Sequence, residues 1–366
     1  MAQSAATDLV SMRTRVMVVD DSAVVRGFIV RILQSDSTIE LVATCSNGQS
    51  AVHQVARAKP DVVILDIEMP VMDGLTALPK LLAADPDTRV IMASTLTQKN
   101  AEVSLEAMAL GAADYIPKPV ASQLNGNDNF QRDLLAKIAA LGRRRQDRAH
   151  VATIPAAVPR KPPAFALRNV PPRDPRIVAI GSSTGGPQAL LTLLKSLSPD
   201  CSVPIVIAQH MPATFTTVLA QHIERTAGRP CREAVHGEAI APGRIYLAPG
   251  DFHFELARDG TALKAQLNKT PPQNFCRPSV NPLFCSVARL FGAQAVAIML
   301  TGMGSDGLDG TREIAGAGGA VIAQDEASSV VWGMPGAIAN AGLCSAVLPL
   351  TGIAPHLISL FARSRR

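Results

Sequence analysis

The sequence contains few aromatic residues and no long apolar run. Phe, Trp and Tyr make up 4% of its 366 residues, which leaves little material for the base-stacking surfaces of proteins that bind single-stranded nucleic acid. No apolar run approaches the ~20 residues that a membrane-spanning helix needs, and the amino terminus lacks a signal-peptide core. We therefore expect a cytoplasmic chain with no membrane insertion and no nucleic-acid partner.

Cysteine is sparse as well, and its spacing carries no motif. The six cysteines form no Cys-x-x-Cys pair and are spread through a large chain: Cys45, Cys201, Cys231, Cys276, Cys285 and Cys344. This pattern excludes a disulfide framework or a zinc site, and it is typical of reduced thiols in a cytoplasmic protein.

Proline and positive charge are concentrated in one segment. The formal net charge is +5, but residues 143–175 alone hold eight Lys and Arg, two Asp and seven Pro. Such a segment cannot build a packed core and indicates a semi-rigid linker. No basic helix-turn-helix pattern follows it, which argues against the alternative of a DNA-binding regulator. We divide the chain into a flexible leader (1–12), a first unit (13–141), the linker (142–175) and a second unit (176–366).

Both units alternate short apolar runs with helical patterns. The runs lie at 16–19, 62–65 and 90–92 in the first unit and at 177–180, 204–208, 295–300 and 320–323 in the second; helical patterns include 23–33 and 101–110. Continuous apolar runs of this length are typical of strands buried on both faces of a parallel sheet. The sequence therefore predicts two doubly wound α/β units.

Polar residues follow the predicted strands of the first unit. Asp20 and Asp21 follow the first strand, Asp66 follows the next, and Ser94 and Lys118 end or follow two more. In an open parallel sheet these ends meet at the ligand-binding edge. Three converging carboxylates repel one another unless a cation lies among them, and this set of oxygen ligands suits Mg²⁺. Asp66 is the candidate phosphoryl acceptor, and Lys118 and Ser94 are candidates to bind phosphoryl oxygens.

These residues resemble the receiver domain of response regulators over residues 13–141. The matching segments are 18–22, 65–74 and 118–119. The resemblance implies a flavodoxin-like doubly wound parallel sheet and phosphorylation of Asp66 by a sensor histidine kinase, with Mg²⁺ among Asp20, Asp21 and Asp66. Ser94 and Lys118 match the family's switch positions, as does Tyr115, for which a half-buried packing role is the alternative.

The second unit carries a serine on a glycine-rich turn. Gly181-x-Ser183-x-Gly185 follows the strand at 177–180 and precedes a helical pattern at 188–197. No Gly-x-Gly-x-x-Gly or Gly-Lys-Ser/Thr motif is present, which makes nucleotide binding an unfavoured interpretation. The spacing fits a nucleophile elbow, in which the helix amino terminus stabilises an oxyanion. A plain tight turn is the alternative.

A base and an orienting acid are available at neighbouring strand ends. His210 directly follows the strand at 203–209 and is the leading general base, with His253 in reserve. Asp306 follows the strand at 295–300 and is the leading acid, with Asp309 and Asp325 as rivals. The order Ser, His, Asp differs from that of the α/β-hydrolases, so the elbow alone does not indicate that fold.

The second unit resembles the catalytic domain of the chemotaxis protein-glutamate methylesterases over about residues 176–360. The matching segments are 181–186, 209–212, 247–251, 277–280, 300–304 and 324–335. Together with the receiver they cover the chain in that family's domain order. The resemblance implies hydrolysis of γ-glutamyl methyl esters on chemoreceptors, with release of methanol, and deamidation of certain receptor glutamines, without a cofactor for hydrolysis. The kinase donor would then be the chemotaxis sensor histidine kinase.

The same resemblance implies roles for individual residues. Ser183, His210 and Asp306 match the family's triad, and Thr184 and Met303 match positions that line the site. Met303 is a candidate oxyanion neighbour through its backbone, with ordinary packing as the alternative. An inactive scaffold with the same fold is the alternative function. From the fusion itself we expect the receiver to cover the esterase cleft until Asp66 is phosphorylated.

The sequence departs from the family pattern at four positions near the predicted site. Cys276 stands where His or Tyr is common and Asn281 where Asp is common, while Ser305 replaces Asn and Trp332 replaces a smaller aromatic residue. None belongs to the predicted triad, so we expect effects on receptor preference more than on chemistry. We expect Cys276 to be an inert packing residue.

Overall fold

The computed structural model describes residues 13–95, 97–119, 128–152, 165–170, 174–197 and 202–364. These residues belong to two compact units, Met1–Arg160 and Lys161–Arg366. The predicted leader (1–12) and residues 153–164 and 171–173 of the predicted linker lie outside the described residues.

The first unit is a parallel α/β sheet with strand order β2-β1-β3-β4-β5. Its strands are β1 (Thr14–Val19), β2 (Ile39–Cys45), β3 (Val62–Asp66), β4 (Arg89–Ser94) and β5 (Asp114–Pro117). Its helices are α1 (Ala23–Gln34), α2 (Gly48–Ala58), α3 (Gly74–Ala84), α4 (Gln98–Ala109) and α5 (Asp128–Ala152). The predicted strands at 16–19, 62–65 and 90–92 and the helices at 23–33 and 101–110 are confirmed.

Side-chain caps fix where the helices of the first unit begin. In α1 to α4 the residue before the helix accepts a hydrogen bond from a backbone N–H of the first turn; the four caps are Ser22, Asn47, Asp73 and Thr97. Each cap satisfies one of the amide groups that have no partner within the helix. The caps therefore start these helices a few residues beyond the carboxyl ends of β1 to β4, and the loops between hold the polar residues predicted there.

The second unit is a seven-stranded parallel sheet with strand order β14-β13-β12-β6-β7-β9-β8 and a separate antiparallel hairpin, β10–β11. Its strands are β6 (Ile177–Ser182), β7 (Ile205–Gln209), β8 (Cys231–Glu233), β9 (Ile245–Leu247), β10 (His253–Asp259), β11 (Ala262–Asn268), β12 (Ala295–Met299), β13 (Ala320–Gln324) and β14 (Ala346–Leu348). Its helices are α6 (Gly186–Lys195), α7 (Ala213–Ala227), α8 (Val280–Phe291), α9 (Leu308–Gly316), α10 (Met334–Asn340) and α11 (Leu350–Ser364). Among the helices described in the two units, none has both the length and the apolar composition needed to cross a bilayer.

The order of the strands determines where a ligand can bind. In the second unit β6 lies between β7 and β12, and every residue of these three strands is buried. The chain moves outwards from β6 in opposite directions, so the crevice beyond its carboxyl end is a topological switch point. In the first unit the same reversal occurs between β1 and β3. Both crevices coincide with the predicted polar clusters.

The ends of the predicted linker are structured. Helix α5 continues to Ala152, past the expected boundary at residue 141. Near the other end, Arg168 donates from its backbone to the Cys344 carbonyl at 2.8 Å and from its guanidinium to the Gly319 carbonyl at 3.2 Å, while the Phe165 ring lies 5.6 Å from that of Trp332. The segment Phe165–Arg168 thus packs on the second unit through its apolar and hydrogen-bonding side chains. The high proline content of the surrounding residues is the reason why the sequence predicts a linker here.

Candidate functional site

Three carboxylates converge at the switch point of the first unit. The ligand oxygens of Asp20, Asp21 and Asp66 all lie within 4.8 Å of one another, with Asp20 and Asp66 buried and Asp21 exposed. Lys118 Nζ lies 2.7 Å from both Asp20 Oδ2 and Asp66 Oδ1. Burial raises the pKa of Asp66 to about 6, although the Lys118 ammonium opposes this shift. The cluster thus brings together four of the residues predicted from the strand ends.

The chemistry of this cluster fits a magnesium ion. One ammonium cannot balance three carboxylates, and Asp20 Oδ2 is buried without accepting a hydrogen bond among the described residues, despite its ionic contact with Lys118. Carboxylate oxygens in a small, incomplete set are the protein ligands that Mg²⁺ prefers, since it retains several waters. These three residues are therefore suitable ligands.

Ser94 and Tyr115 lie on the neighbouring strands. Asp66 pairs with Ala93 across β3 and β4, so Ser94 is the next residue along that edge, and its hydroxyl accepts a hydrogen bond from Ser104 at 3.2 Å. Tyr115 is buried in β5, and the Lys137 ammonium lies 5.3 Å from its ring centre. Burial raises the pKa of Tyr115 well above its usual value. Its inward position fits the packing alternative, and the expected switch role remains a prediction.

A rigid turn holds Ser183 at the switch point of the second unit. β6 ends at Ser182, and Gly185 adopts a left-handed φ of 73° before α6 begins. Ser183 N donates to the Thr301 carbonyl at 3.0 Å, and the Ser183 carbonyl accepts from Gln209 Nε2 at 3.0 Å. The backbone of this half-buried serine is therefore held by the loop after β12 and by the last residue of β7, and the elbow interpretation remains a prediction.

The loop after β12 passes very close to Ser183. A Cβ atom on Gly302 would lie 2.9 Å from Ser183 Cβ, a separation that side chains do not tolerate. Thr301 Oγ1 donates to the Thr184 carbonyl at 2.9 Å, so Thr184 is buried against this loop. Met303 is partly exposed, and its N–H makes no hydrogen bond within the described residues. The glycine at position 302 thus lets the Met303 amide pass beside the turn.

The half-buried His210 and the buried Asp306 form a pair beside this turn. Ser182 pairs with Gln209 across β6 and β7, so His210 is the residue next to Ser183 at the sheet edge. His210 Nε2 lies 2.7 Å from Asp306 Oδ2. The structure thus brings together the predicted base and the predicted acid, from chain segments 96 positions apart.

Asp306 receives hydrogen bonds from several directions. Its Oδ1 accepts from Ser279 Oγ at 2.7 Å and Asn274 Nδ2 at 3.0 Å, and from Gly307 N at 2.9 Å. Its Oδ2 accepts from Val280 N, at the start of α8, at 2.6 Å. Burial alone would favour the neutral acid, but His210, the Val280 N–H and the Ser279 hydroxyl hold the pKa of Asp306 down to about 2. The carboxylate is therefore charged and fixed at neutral pH.

The second nitrogen of His210 faces a cysteine. Cys276 Sγ lies 3.4 Å from His210 Nδ1, a hydrogen-bond distance for sulfur. Within the part of the chain that the structure describes, Ser183 Oγ forms no hydrogen bond with His210. Burial opposes the charged imidazole, but Cys276 and Asp306 together raise the pKa of His210 to about 10. Cys276 thus packs directly against the predicted base.

The reserve candidates lie elsewhere. His253 is fully buried, with its ring between the Pro271 carbonyl at 3.1 Å and Ser279 N at 3.3 Å, so it supports the backbone of the α8 cap. Asp309 pairs with Arg312 on the surface, and Asp325 accepts hydrogen bonds from Ser328. None of these contacts reaches Ser183.

Sequence reasoning missed Asn274 and Ser279 as partners of Asp306. Ser279 belongs to the Arg277–Val280 segment and precedes a helix, so its position as an N-cap was the available signal. Asn274 reaches Asp306 only because the turn Gln273–Cys276 folds back on itself. No spacing rule indicates that contact.

Comparisons with known proteins agree with this geometry. Residues 178–357 match the CheB methylesterase family, and residues 16–124 match the response regulator receiver domain. The protein-glutamate methylesterase/protein-glutamine glutaminase 1 of Paramagnetospirillum magneticum is 55% identical over 378 residues, covering 98% of each chain. A protein of Azospirillum brasilense with the same double name is 52% identical over 367 residues, covering 96% of this chain and 93% of the relative.

A solved structure matches the second half of the chain. The crystal structure of the Thermotoga maritima CheB methylesterase catalytic domain is 39% identical, with a TM-score of 0.50, and covers 51% of this chain and 100% of that one. The matches to full-length relatives span both units in the same order. The chain therefore belongs to the family of protein-glutamate methylesterases/protein-glutamine glutaminases that carry an amino-terminal receiver domain.

Proposed function

We propose that this chain is a phosphorylation-regulated serine hydrolase that removes methyl esters from glutamate side chains of chemoreceptors and deamidates specific receptor glutamines in the cytoplasm. The observation that carries the proposal is the 2.7 Å hydrogen bond between His210 Nε2 and Asp306 Oδ2 beside Ser183. The double name of the relatives supports both substrate classes, because an ester and an amide of the same carboxyl group pass through one acyl-enzyme.

The contacts of His210 determine which nitrogen takes the proton. Nε2 is bound to Asp306, so Nδ1 is the nitrogen that accepts the Ser183 proton as Oγ attacks the carbonyl carbon. Cys276 must first leave Nδ1, because it lies there at 3.4 Å. His210 then protonates the leaving group, which departs as methanol or ammonia, and water hydrolyses the acyl-enzyme to the carboxylate.

Movement of Cys276 also changes the charge of the base. With Cys276 in contact, His210 is protonated at neutral pH and cannot accept a proton. Loss of this contact removes one cause of the raised pKa and shifts His210 towards its neutral form. The Met303 N–H is the candidate oxyanion donor, since the Ser183 N–H already donates to Thr301.

Removing the hydroxyl of the proposed nucleophile, Ser183, tests this function. Ser183→Ala should reduce methanol release from methylated chemoreceptor membranes by at least about 10³-fold, because no other hydroxyl replaces the attacking oxygen. Ser196→Ala, which removes an exposed hydroxyl bonded to Thr192 beyond the end of α6, should retain full activity. Methanol release that survives in Ser183→Ala would contradict the assignment.

We propose that the first unit receives a phosphoryl group on Asp66 from the chemotaxis sensor histidine kinase. The buried Asp66 carboxylate beside Lys118 supports this role, with Lys118 and Ser94 binding phosphoryl oxygens and Tyr115 responding to them. Asp20, Asp21 and Asp66 would hold Mg²⁺, which neutralises charge on the phosphoryl oxygens when bound.

The proposed organisation retains the boundaries predicted from the sequence: leader 1–12, receiver 13–141, linker 142–175 and catalytic domain 176–366. The extension of α5 to Ala152 and the packing of Phe165 and Arg168 on the second unit shorten the segment that acts as a tether. The positive charge of the predicted linker suits an acidic partner.

A further inference from the structure

Cys276 is held against the catalytic base by a tight turn. Gln273 and Cys276 exchange two backbone hydrogen bonds, of 3.1 and 2.8 Å, and the two residues between them adopt left-handed φ angles of 49° and 62°. Non-glycine residues adopt this conformation rarely, and it persists where surrounding contacts impose it. Asn274 of this turn donates to Asp306 at 3.0 Å, so the turn is tied to the same carboxylate that orients His210.

The sulfur therefore belongs to a cluster of three chemically coupled groups. Cys276 Sγ faces Nδ1 of His210, and Asp306 Oδ2 faces Nε2 of the same ring. A cysteine, an imidazole and an acid connected in this order form the arrangement that activates a thiol as a nucleophile. The imidazolium is stabilised by Asp306 from the far side and supplies positive charge next to the sulfur.

The other described cysteines lack these surroundings. Cys45, Cys231 and Cys344 are buried, and Cys285 is half-buried; burial raises the pKa of all four thiols. Such thiols are inert towards electrophiles. Cys276 is half-buried, as Cys285 is, and it differs from the other described cysteines in its contact with an imidazole.

We propose that Cys276 is a modification site for small soft electrophiles, formed by its contact with His210 Nδ1 and the hydrogen bond of His210 to Asp306. The thiolate attacks the electrophilic carbon, a sulfur–carbon bond forms, and the leaving group departs with its electron pair. The thiol proton remains on His210. The added group then lies against Nδ1, and, given the proposed function, it blocks the nitrogen that must accept the Ser183 proton.

Iodoacetamide tests the site in the intact chain. Labelling rates at each cysteine are measured by mass spectrometry of digests taken over time. We expect Cys276 to be alkylated about tenfold faster than Cys285, with release of iodide. His210→Gln removes the imidazolium and should slow alkylation of Cys276 by a similar factor while leaving the rate at Cys285 unchanged. Equal rates at Cys276 and Cys285, or an unchanged Cys276 rate in His210→Gln, would overturn the proposal.

A second measurement separates this site from the proposed function. Ser183→Ala should lose methanol release but keep the fast labelling of Cys276, because the Cys276–His210 contact does not involve Ser183. During treatment with iodoacetamide, methanol release by the unsubstituted chain and by the matched control Cys285→Ser should fall at the same rate as Cys276 is labelled. Full activity after complete labelling would refute the block of Nδ1, whereas methanol release by Ser183→Ala would refute the proposed nucleophile and leave the labelling result intact.

Discussion

At the scale of single residues, His210 has both ring nitrogens engaged. Asp306 holds Nε2 and Cys276 holds Nδ1, so the imidazole is charged and unavailable as a base in this arrangement. Among the groups that raise the pKa of His210, Cys276 contributes more than Asp306. The contact that the proposed mechanism must break is therefore the one that contributes most to the positive charge of the ring.

The charge on His210 predicts how the stability of the second unit depends on pH. The folded pKa, about 10, lies above the ordinary value of 6.5. The contribution of the charged His210 side chain to the free energy of unfolding is thus fully present below pH 6.5 and is lost as the pH rises through about 10. The destabilisation caused by His210→Gln should accordingly shrink between pH 6.5 and pH 10. Urea unfolding followed by fluorescence of Trp332, the single tryptophan, measures this difference in the second unit.

A comparison with Asp306→Asn identifies the source of that dependence. Removing the carboxylate deletes one cause of the raised pKa of His210, so His210→Gln should matter less in that background at every pH. A destabilisation by His210→Gln that stays constant from pH 6.5 to pH 10 would show that the imidazole carries no charge in the folded state.

The sequence predicted single residues well where they follow buried strands. Asp66, His210 and Asp306 were found because the ends of parallel strands meet, and the structure brings each to its expected edge. The partners Cys276 and Asn274 lie on a turn whose direction depends on backbone torsions and tertiary contacts. Neither hydrophobic periodicity nor spacing reports such a direction, so their contacts were not predictable.

At the scale of elements, helix α8 connects stability to the site. Its N-cap, Ser279, accepts a hydrogen bond from Asn281 N at 3.3 Å while its hydroxyl donates to Asp306 at 2.7 Å. The amino terminus of the helix also directs Val280 N at this carboxylate. Positive partial charge at a helix amino terminus stabilises a nearby anion, so α8 begins beside Asp306 and helps keep it ionised.

Ser279→Ala should therefore have two effects. It removes a cap and a donor to a buried carboxylate, and we expect a loss of about 2 kcal/mol in the free energy of unfolding of the second unit. Methanol release should fall as well, since Asp306 is held less firmly. Urea unfolding followed by Trp332 and the methanol assay measure the two effects.

Two control variants test this interpretation of Ser279→Ala. Ser279→Thr keeps the hydroxyl and should recover most of the activity. Asn47→Ala, which removes the cap of α2 in the first unit, should leave the Trp332 transition unchanged. An unaltered Ser279→Ala protein would mean that Asp306 does not depend on this hydroxyl.

Some elements were not predictable from apolar runs. Strand β2 is mostly half-buried and β8 is Cys-Arg-Glu, so neither produces a continuous apolar run, while β9 and β14 are apolar but only three residues long. The hairpin β10–β11 alternates buried and accessible positions over part of its length and lies outside the main sheets. Runs of this kind identify strands buried on both faces, which is why β1, β3, β4, β6, β7, β12 and β13 were found.

At the scale of the whole molecule, a receiver and a hydrolase share one chain. The proposed regulation predicts that a small acyl phosphate donor with Mg²⁺ raises methanol release by the intact chain about tenfold. A change of this size is typical of the coupling free energy between two allosteric sites. Asp66→Asn should abolish the response, because the amide cannot accept the phosphoryl group. The methanol assay with and without the donor measures the effect.

Asp36 supplies the matched control for this prediction. It is a half-buried aspartate of the first unit whose carboxylate accepts hydrogen bonds from Thr38, away from the acidic cluster. Asp36→Asn should respond to the phosphate donor as the unsubstituted chain does. An undiminished response in Asp66→Asn would assign the regulation to another site.

The parallel arrangement of both sheets has a consequence for how the chain acquires its chemistry. Neighbouring parallel strands come from distant segments, so loop-closure entropy must be overcome before the strand ends meet. Helices form locally and early, whereas His210 and Asp306 meet only when β6 joins β7 and β12. During refolding, far-ultraviolet ellipticity should therefore return before hydrolytic activity does. Recovery of this activity then marks the last stage of assembly of the second unit.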